Sequence, residues 1–240
     1  MEIMKKFAAK ANDLKGSPAV TLAFFGDSVT QGCFECYIKA DGNIETVFDQ
    51  ENGYHAHLKR IIADIYTNVP INIINAGISG GKAIQAVERL ERDVLRYSPD
   101  LCVVCFGLND STKGDEMLST YLESLDTIFK KLKDAGVEVI FMTPNMMCTD
   151  VSPFLKDKLL IETAVKCSGV QNGGMLEKFL EGAKTVAEQN GVRVCDCYAK
   201  WKALYENGAD ITELLANKIN HPTRSMNKLF ATSLFETMLS

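Results

Sequence analysis

The chain has 240 residues, of which 46% are hydrophobic and 24% are charged, and its formal net charge is -5 at pH 7. This length favours one sizeable domain over residues 1–240. No block of Lys and Arg forms a basic stripe, which argues against a nucleic-acid-binding protein. Because the N-terminal segment lacks the apolar run of a signal peptide and no later segment has the length of a membrane span, we expect a cytoplasmic protein without stable membrane insertion.

Five short apolar runs alternate with segments of helical periodicity along the chain. The runs are continuous and rich in β-branched residues, which is typical of strands covered on both faces. Strands are predicted at residues 20–25, 71–76, 101–106, 137–144 and 192–198. Helices are predicted at residues 54–66, 82–97, 116–135, about 172–190 and 226–239. This alternation indicates an α/β fold with three α/β/α layers and a five-stranded parallel sheet.

Two stretches fall outside the alternation of strands and helices. Residues 33–53 contain alternating segments around Asp41-Gly42-Asn43, and they are predicted to form a hairpin insertion. Residues 145–171 follow the fourth predicted strand and are predicted to form a long loop region near the site. Loops and short helices at such places often shape a pocket.

The eight cysteines do not indicate a disulfide scaffold or a zinc site. Cys195 and Cys197 would share one face of the last strand, at the distance limit for a disulfide. Cys33 and Cys36 have the spacing of a metal or redox pair, but no second pair completes a zinc site. We therefore expect reduced, mostly buried thiols and a reducing compartment.

Small and polar residues follow three of the five predicted strands. They are Gly26-Asp27-Ser28 after the first strand, the sequence NAGISGG (75–81) after the second and Gly107-Leu108-Asn109-Asp110 after the third. In an open α/β sheet, ligands bind outside the carboxyl ends of the strands. Together these residues supply a hydroxyl, open backbone N–H groups and a side-chain amide, which are the parts of a serine acyl-transfer site without its base.

The chain offers three histidines as candidates for the base. His55 and His57 lie in a helical segment, two positions apart, so they do not face each other, and we interpret them as structural or surface residues. His221 lies in a loop before the last helix and is followed by Pro222. That position allows a base late in the sequence to reach a catalytic edge that is built early in it.

With these residues the chain resembles the SGNH (GDSL-type) hydrolase family, whose four sequence blocks occur here in order from residue 20 to the end. The resemblance implies a flavodoxin-like SGNH hydrolase fold and a serine esterase or acylhydrolase. It implies that Ser28 is the catalytic nucleophile and His221 the catalytic base. It also implies an oxyanion hole made by the backbone N–H groups of Ser28 and Gly80 and the side-chain amide of Asn109.

One position departs from the pattern of the family. The family has Asp three residues before the catalytic histidine, and here that residue is Lys218. Without this acid, His221 could be oriented by a backbone carbonyl near Lys218, by an acid from elsewhere such as Asp210, or by a hydrogen bond from Asn217, which supplies no charge. Of these we favour the carbonyl.

Competing motifs fit less well. A Gly-x-Ser-x-Gly elbow would need glycine at Thr30, which disfavours the α/β-hydrolase arrangement. A Walker phosphate loop would need glycine at Ala76 and Ser or Thr at Ala83, and neither is present. Lys82 is therefore interpreted as a solvated residue in the first turn of a helix rather than as a nucleotide ligand.

We expect an enzyme that hydrolyses small-molecule carboxylic esters through an acyl-enzyme, without a metal or an organic cofactor. The expected substrate carries a small acyl group, such as acetyl, on a carbohydrate-like alcohol, and the hairpin could present Glu35 or Tyr37 to a polar leaving group. Asp27 and Asp110 are expected to support the site by accepting backbone N–H groups rather than to react.

Three alternatives remain open at this stage. The Met-rich sequence FMTPNMM (141–147) favours a more apolar acyl pocket, and thus a lysophospholipase or an acyl thioesterase with the same site residues. The Lys218 departure allows a non-catalytic binding module that keeps the fold. The third alternative is nucleotide binding at the sequence SGGKA (79–83). The oligomeric state is left open.

Overall fold

A five-stranded parallel sheet forms the centre of the computed structural model, which describes residues 1–240. The order of its strands is β4-β1-β5-β6-β7, and all four neighbouring pairs run parallel. The strands are β1 (Val20–Gly26), β4 (Ile71–Gly77), β5 (Leu101–Cys105), β6 (Glu138–Met142) and β7 (Arg193–Cys195). The five strands predicted from the apolar runs are thereby confirmed, with ends that differ by a few residues.

Helices cover both faces of the sheet, which confirms the three-layer prediction. Ten helices are present: α1 (Glu2–Asn12), α2 (Ser28–Gln31), α3 (Tyr54–Ile65), α4 (Ala83–Asp93), α5 (Leu108–Ser111), α6 (Leu118–Asp134), α7 (Lys158–Asn172), α8 (Met175–Gln189), α9 (Cys197–Glu206) and α10 (Asn227–Leu239). None of them is both long and apolar enough to span a bilayer.

Alternating side chains of the central strands divide the core in two. Leu22 and Phe24 of β1 pack in one cluster with α1, α3, α7, α9 and α10. Ala23 and Phe25 point to the other face and pack with α4, α6 and α8. Both clusters are made of side chains fully or almost fully removed from water, so each face of the sheet contributes hydrophobic free energy to folding.

The predicted hairpin is present as a separate two-stranded antiparallel sheet. It consists of β2 (Cys33–Ile38) and β3 (Ile44–Phe48), and it follows α2 directly. The pairing is irregular between Cys33 and Cys36: Cys33 faces Phe48, but Cys36 faces Thr46. Phe34 and Glu35 therefore lie opposite the single residue Val47, which is the arrangement of a β-bulge.

Two predictions of local structure were wrong. The region 145–171 is a loop only in its first part, because α7 begins at Lys158 and buries Leu160, Ala164 and Cys167 at helical spacing. The last predicted strand does not continue to residue 198. It ends at Cys195, because Asp196 accepts the N–H of Ala199 (3.1 Å) and begins α9. Cys197 therefore lies on a helix, and its Sγ is 3.7 Å from that of Cys195, with no disulfide between them.

The order of the strands places one crevice at the centre of the sheet edge. The connection after β1 leads to β4 on one side of the sheet, whereas the connection after β5 leads to β6 on the other side. The two connections therefore diverge between β1 and β5. Such a switch point is where open α/β sheets bind ligands. Ser28 follows β1 and Asn109 follows β5, so both candidate residues lie at this edge.

Candidate active site

Ser28 is the first residue of α2, one turn that begins directly after β1. Asp27 caps this turn, with its Oδ1 accepting the N–H of Val29 at 3.0 Å. Gly32 ends the turn in the left-handed conformation (φ 90°), which glycine adopts without the steric cost of a side chain. The sequence GDSVTQG is thus a turn, and it holds the Ser28 hydroxyl in a fixed, buried position.

His221 contacts Ser28 across 193 residues of sequence. Its Nε2 lies 3.0 Å from the Ser28 Oγ, and its Nδ1 lies 2.9 Å from the backbone oxygen of Phe34. A carbonyl oxygen can only accept, so Nδ1 carries the proton and donates it to Phe34. Nε2 is then the unprotonated nitrogen, free to accept the Ser28 O–H, as a general base must be.

The loop before His221 is folded around one side chain. Asn217 Oδ1 accepts the backbone N–H groups of Ile219, Asn220 and His221 at 2.9–3.0 Å. Lys218, which lies between Asn217 and Ile219, takes a left-handed conformation (φ 59°), an uncommon one for a residue with a side chain. This turn presents the His221 ring to Ser28.

The carbonyl that orients His221 is therefore not near Lys218, as we expected, but belongs to Phe34 on β2. Lys218 itself pairs with Glu213, with its Nζ 2.8 Å from the Glu213 carboxylate. The other alternative, Asp210, accepts the N–H of Glu213 and makes no contact with the ring. Asn217 supports the loop through backbone groups, and it does not hydrogen-bond to the imidazole either.

Burial determines the charge state of the imidazole. His221 is 5% exposed, and desolvation lowers its pKa to about 4, against a smaller raising effect of the Phe34 hydrogen bond. The ring is consequently neutral at ordinary pH. No carboxylate hydrogen-bonds to it, so the proton that it takes from Ser28 would be stabilised mainly by the Phe34 carbonyl dipole, with a smaller electrostatic contribution from the Glu35 carboxylate.

Gly80 and Asn109 lie beside Ser28 and line the same cavity. The Gly80 N–H has no hydrogen-bond acceptor within the protein, and its φ of 72° favours glycine. The preceding residue, Ser79, is held by its N–H, which donates to Gln31 Oε1 at 2.7 Å. Gln31 is on α2, so the loop after β4 is tied to the turn that carries the serine.

The Asn109 amide is occupied in this structure. Its Nδ2 lies 3.1 Å from the Gly81 oxygen and 3.3 Å from Asp27 Oδ2. Both hydrogens of the amide therefore have an acceptor on the edge of the site. An oxyanion would have to compete for one of them, and the longer contact, to Asp27, is the weaker one.

Two buried carboxyl groups support the loops around the serine. Asp27 accepts from Val29, and Asp110 Oδ1 accepts the N–H of Ala83, the first residue of α4, at 2.9 Å. Desolvation raises the pKa of Asp27 to about 7 and that of Asp110 to about 6. The negative charge of Asp110 also raises the pKa of Asp27. Asp110 therefore stays protonated up to about pH 6 and Asp27 up to about pH 7.

Arg89 is a buried residue that sequence reasoning did not identify. It lies on α4, with Nη1 2.7 Å from the Ala76 oxygen and Nη2 2.9 Å from the Gly26 oxygen. Its guanidinium also packs 4.5 Å from the centre of the Phe25 ring. Arg89 thus binds backbone oxygens at the carboxyl ends of β1 and β4, the edge at which Ser28 lies. Its charge favours the ionised form of Asp27.

A cavity of about 330 Å³ opens in front of Ser28. Ile44, Glu45 and Thr46 of the hairpin and Leu160 and Thr163 of α7 line it. The remaining lining residues are Ser28, Cys36, Ser79, Gly80, Asn109, Asn217, Ile219, Asn220 and His221. Most of the lining residues are polar, and none is Phe, Tyr or Trp. No group of three or more His, Cys, Asp or Glu side chains is arranged to hold a metal ion.

Contrary to our expectation for the hairpin, neither Glu35 nor Tyr37 lines the cavity. Glu35 is not directed to the cavity but is paired with Arg224, and Tyr37 is 47% exposed and does not line the cavity. Met142, Met146 and Met147 are buried in the core and do not reach the cavity. The Met-rich segment is thus packing material and not an acyl pocket.

Comparisons with known proteins agree with this architecture. An acetylxylan esterase of Geobacillus stearothermophilus is 26% identical over 132 residues, which cover 51% of this chain and 58% of that protein. A solved structure of an acetylxylan esterase from the same organism has a TM-score of 0.66 at 21% identity and covers 91% of this chain and 94% of its own.

Two further solved structures are similar. An acetyl xylan esterase has a TM-score of 0.67 at 20% identity, covering 90% of this chain and 98% of its own. An α/β-hydrolase enzyme from the metagenome of Lake Arreo has a TM-score of 0.66 at 18% identity, covering 92% and 96%. At these identities the likeness establishes the fold. The model of the GDSL-like lipase/acylhydrolase family matches residues 24–229, and the chain therefore belongs to that family.

Proposed function

We propose that this protein is a serine esterase that removes a small acyl group, acetyl in the first place, from a carbohydrate-like alcohol. The observation that carries the proposal is the hydrogen-bonded chain from the Phe34 oxygen through His221 to the Ser28 Oγ, with contacts of 2.9 and 3.0 Å. Its direction is defined, because the carbonyl can only accept. The serine is thereby paired with a base in the correct tautomer.

In the proposed reaction, Ser28 Oγ attacks the acyl carbon while its proton passes to His221 Nε2. The resulting oxyanion would be bound by the backbone N–H groups of Ser28 and Gly80 and by the amide of Asn109, which gives up its long contact with Asp27. His221 then protonates the leaving alcohol, and an acyl-enzyme remains. Water repeats the sequence and releases the acid. Removal of one oxyanion donor typically raises the barrier by about 3–4 kcal/mol.

The shape and polarity of the cavity support a small acyl group and a hydroxylated leaving group. A cavity of about 330 Å³ lined by Glu45, Thr46, Thr163 and Asn220 offers hydrogen-bonding groups on several sides. A long acyl chain would need a continuous apolar channel, and the apolar lining is limited to separate side chains. The names of the similar proteins, acetylxylan esterases, support the same substrate class.

Covalent labelling with a fluorophosphonate tests the catalytic proposal. We expect labelling of the wild-type protein, none of Ser28→Ala and very little of His221→Ala. Ser168→Ala changes a half-buried serine on α7 that does not line the cavity; it serves as the control and should label as the wild type does. A folded wild-type protein that remains unlabelled would instead support a non-catalytic binding module.

The substrate class is tested separately by comparing acetyl release from acetylated xylo-oligosaccharides with hydrolysis of lysophospholipids and long-chain acyl thioesters. The proposal predicts a higher kcat/KM for the acetylated sugars. A preference for the long-chain substrates would overturn the acetyl assignment and leave the serine mechanism intact.

A further inference from the structure

Arg224 connects the loop of His221 to β2 and to Asp49, the residue directly after β3. Its Nη1 and Nη2 lie 2.6 and 3.1 Å from the two carboxylate oxygens of Glu35, and its Nε lies 2.7 Å from Asp49 Oδ2. The guanidinium also lies 4.3 Å from the centre of the Phe34 ring. One side chain, three residues after the candidate base, therefore contacts the residue whose carbonyl orients that base and the residue next to it.

The part of the hairpin that Arg224 contacts is the part that the strand ladder does not hold. Phe34 and Glu35 form the bulge opposite Val47, so they are left out of the regular pairing of β2 with β3. The Thr46 hydroxyl donates to the Glu35 oxygen at 3.1 Å. The Phe34 oxygen is left to His221, and its position depends on contacts other than the ladder.

Asp49 provides a second fixed point for the clamp. Its backbone N–H donates to the Gly32 oxygen at 2.8 Å, immediately after the turn that carries Ser28. Arg224 thus links the bulge of the hairpin to the residue at which the hairpin ends, Asp49. Since its planar guanidinium makes three directed hydrogen bonds, it restricts the orientation of the bulge more than a lysine at the same place could.

We propose that Arg224 is a positioning residue that holds the bulged Phe34 peptide so that its carbonyl accepts the His221 Nδ1 proton. In this chain the clamp of Arg224, Glu35 and Asp49 does the orienting that the family assigns to an acid at the position of Lys218. A carboxylate would attract the imidazole from a range of orientations, because charge acts at a distance. A neutral carbonyl orients it only from one direction, so its own position must be defined. This inference rests on the proposed function.

The two acid–Arg224 pairs are partly exposed, with side-chain exposure of 36% for Arg224, 47% for Glu35 and 25% for Asp49. Ion pairs of this exposure contribute little to the stability of a fold. The proposal therefore predicts that loss of the clamp affects turnover much more than it affects folding, whereas a merely structural ion pair would leave turnover unchanged.

The test compares Arg224→Gln and Arg224→Lys with the wild type, using 4-nitrophenyl acetate. We expect kcat of Arg224→Gln to fall at least about tenfold, with KM within about twofold and an unchanged urea midpoint. Arg224→Lys keeps the charge but not the three directed bonds, so it should not restore kcat. Lys200→Gln, which removes an exposed ion pair with Glu236 outside the cavity, is the control and should keep full activity.

A second measurement does not depend on activity. The hydrogen-bonded His221 Nδ1 proton should give a downfield proton resonance in NMR spectra, assigned by its loss in His221→Ala. We expect this resonance in the wild type and its broadening or loss in Arg224→Gln. An unchanged resonance together with unchanged kcat in Arg224→Gln would overturn the clamp. A wild-type protein without esterase activity whose resonance still depends on Arg224 would refute the proposed function and retain the clamp.

Discussion

The acidic limb of the pH profile follows from the burial of His221. Its pKa is lowered to about 4, so the proposed base is already neutral over the range in which an ordinary imidazole takes up a proton. We expect kcat/KM for acetate-ester hydrolysis to decline only as pH falls towards 4, because this parameter reports the ionisation of the free enzyme. At pH 5.5 a base with a pKa of about 4 is about 97% neutral, and one with a pKa of 6.5 is about 9% neutral.

The assay is kcat/KM for 4-nitrophenyl acetate between pH 4 and 8, with product read at a wavelength that is insensitive to its own ionisation. The predicted activity at pH 5.5 is close to the plateau value, about tenfold above that of an enzyme with an unperturbed base. An acidic limb centred near pH 6.5 in the wild type would refute the reasoning, since it would mean that the imidazole is solvated or paired with a negative charge.

Two variants separate His221 from other groups that titrate nearby. His55 is also buried, with its pKa lowered to about 4, but it contacts Asn75 and not Ser28. His55→Gln should therefore leave the position of the limb unchanged. Asp27, whose pKa is raised to about 7, could add an inflection near neutrality. Such an inflection should disappear in Asp27→Asn, while the limb near pH 4 remains.

Three further predictions concern stability, each measured by urea unfolding. A Cβ at Gly77 would lie 2.2 Å from the backbone nitrogen of Gln31, so Gly77→Ala should cost about 1–3 kcal/mol of stability and displace α2. The control is Gly169→Ala on α7, where a Cβ would meet open space, and it should be neutral or stabilising. Arg89→Met should cost about 1–3 kcal/mol, because the buried Ala76 and Gly26 oxygens lose the Arg89 hydrogen bonds and the Gly26 oxygen keeps only the N–H of Ile78 (3.1 Å). A loss below about 1 kcal/mol would contradict this account. The folded-state pKa of Asp110 is raised to about 6, so its ionisation destabilises the fold progressively as pH rises from about 4 to 6. The free energy of unfolding of Asp110→Asn, relative to that of the wild type, should therefore rise by about 3 kcal/mol between pH 4 and 8. A difference that does not change with pH would count against this prediction.

The sheet and the family were predictable from local patterns. Continuous apolar runs of strand length indicated the five strands, and the small polar residues after them indicated the edge at which the site lies. Ser28 and His221 could be proposed as nucleophile and base because each is a reactive side chain in a recognisable sequence block. Their contact, at 3.0 Å, depends on the turn that Asn217 Oδ1 holds together before His221.

The partner of His221 could not be predicted in the same way. It is a backbone oxygen, which every residue has, and it belongs to a bulge whose register depends on the pairing of two strands. Arg224 and Arg89 were missed for a related reason, since each acts through contacts with residues far away in the sequence. The helix α7 was missed because its sequence was interpreted as part of a long loop, although Leu160, Ala164 and Cys167 recur at helical spacing.

The hairpin both lines the cavity and contains the carbonyl that contacts His221, so a substitution in it affects both. Ile44, Glu45 and Thr46 would meet the leaving group in the proposed complex, while the Phe34 oxygen on the paired strand accepts the hydrogen bond from His221, the proposed base. Substitutions that adapt the wall to a new alcohol therefore also perturb the alignment of the imidazole. The cavity residues Leu160 and Thr163 lie on α7 and make no side-chain hydrogen bond to His221 or Phe34; the Thr163 hydroxyl donates to the Leu159 oxygen. Evolution or engineering of new substrate preference should accordingly proceed with less loss of turnover through α7 than through the hairpin.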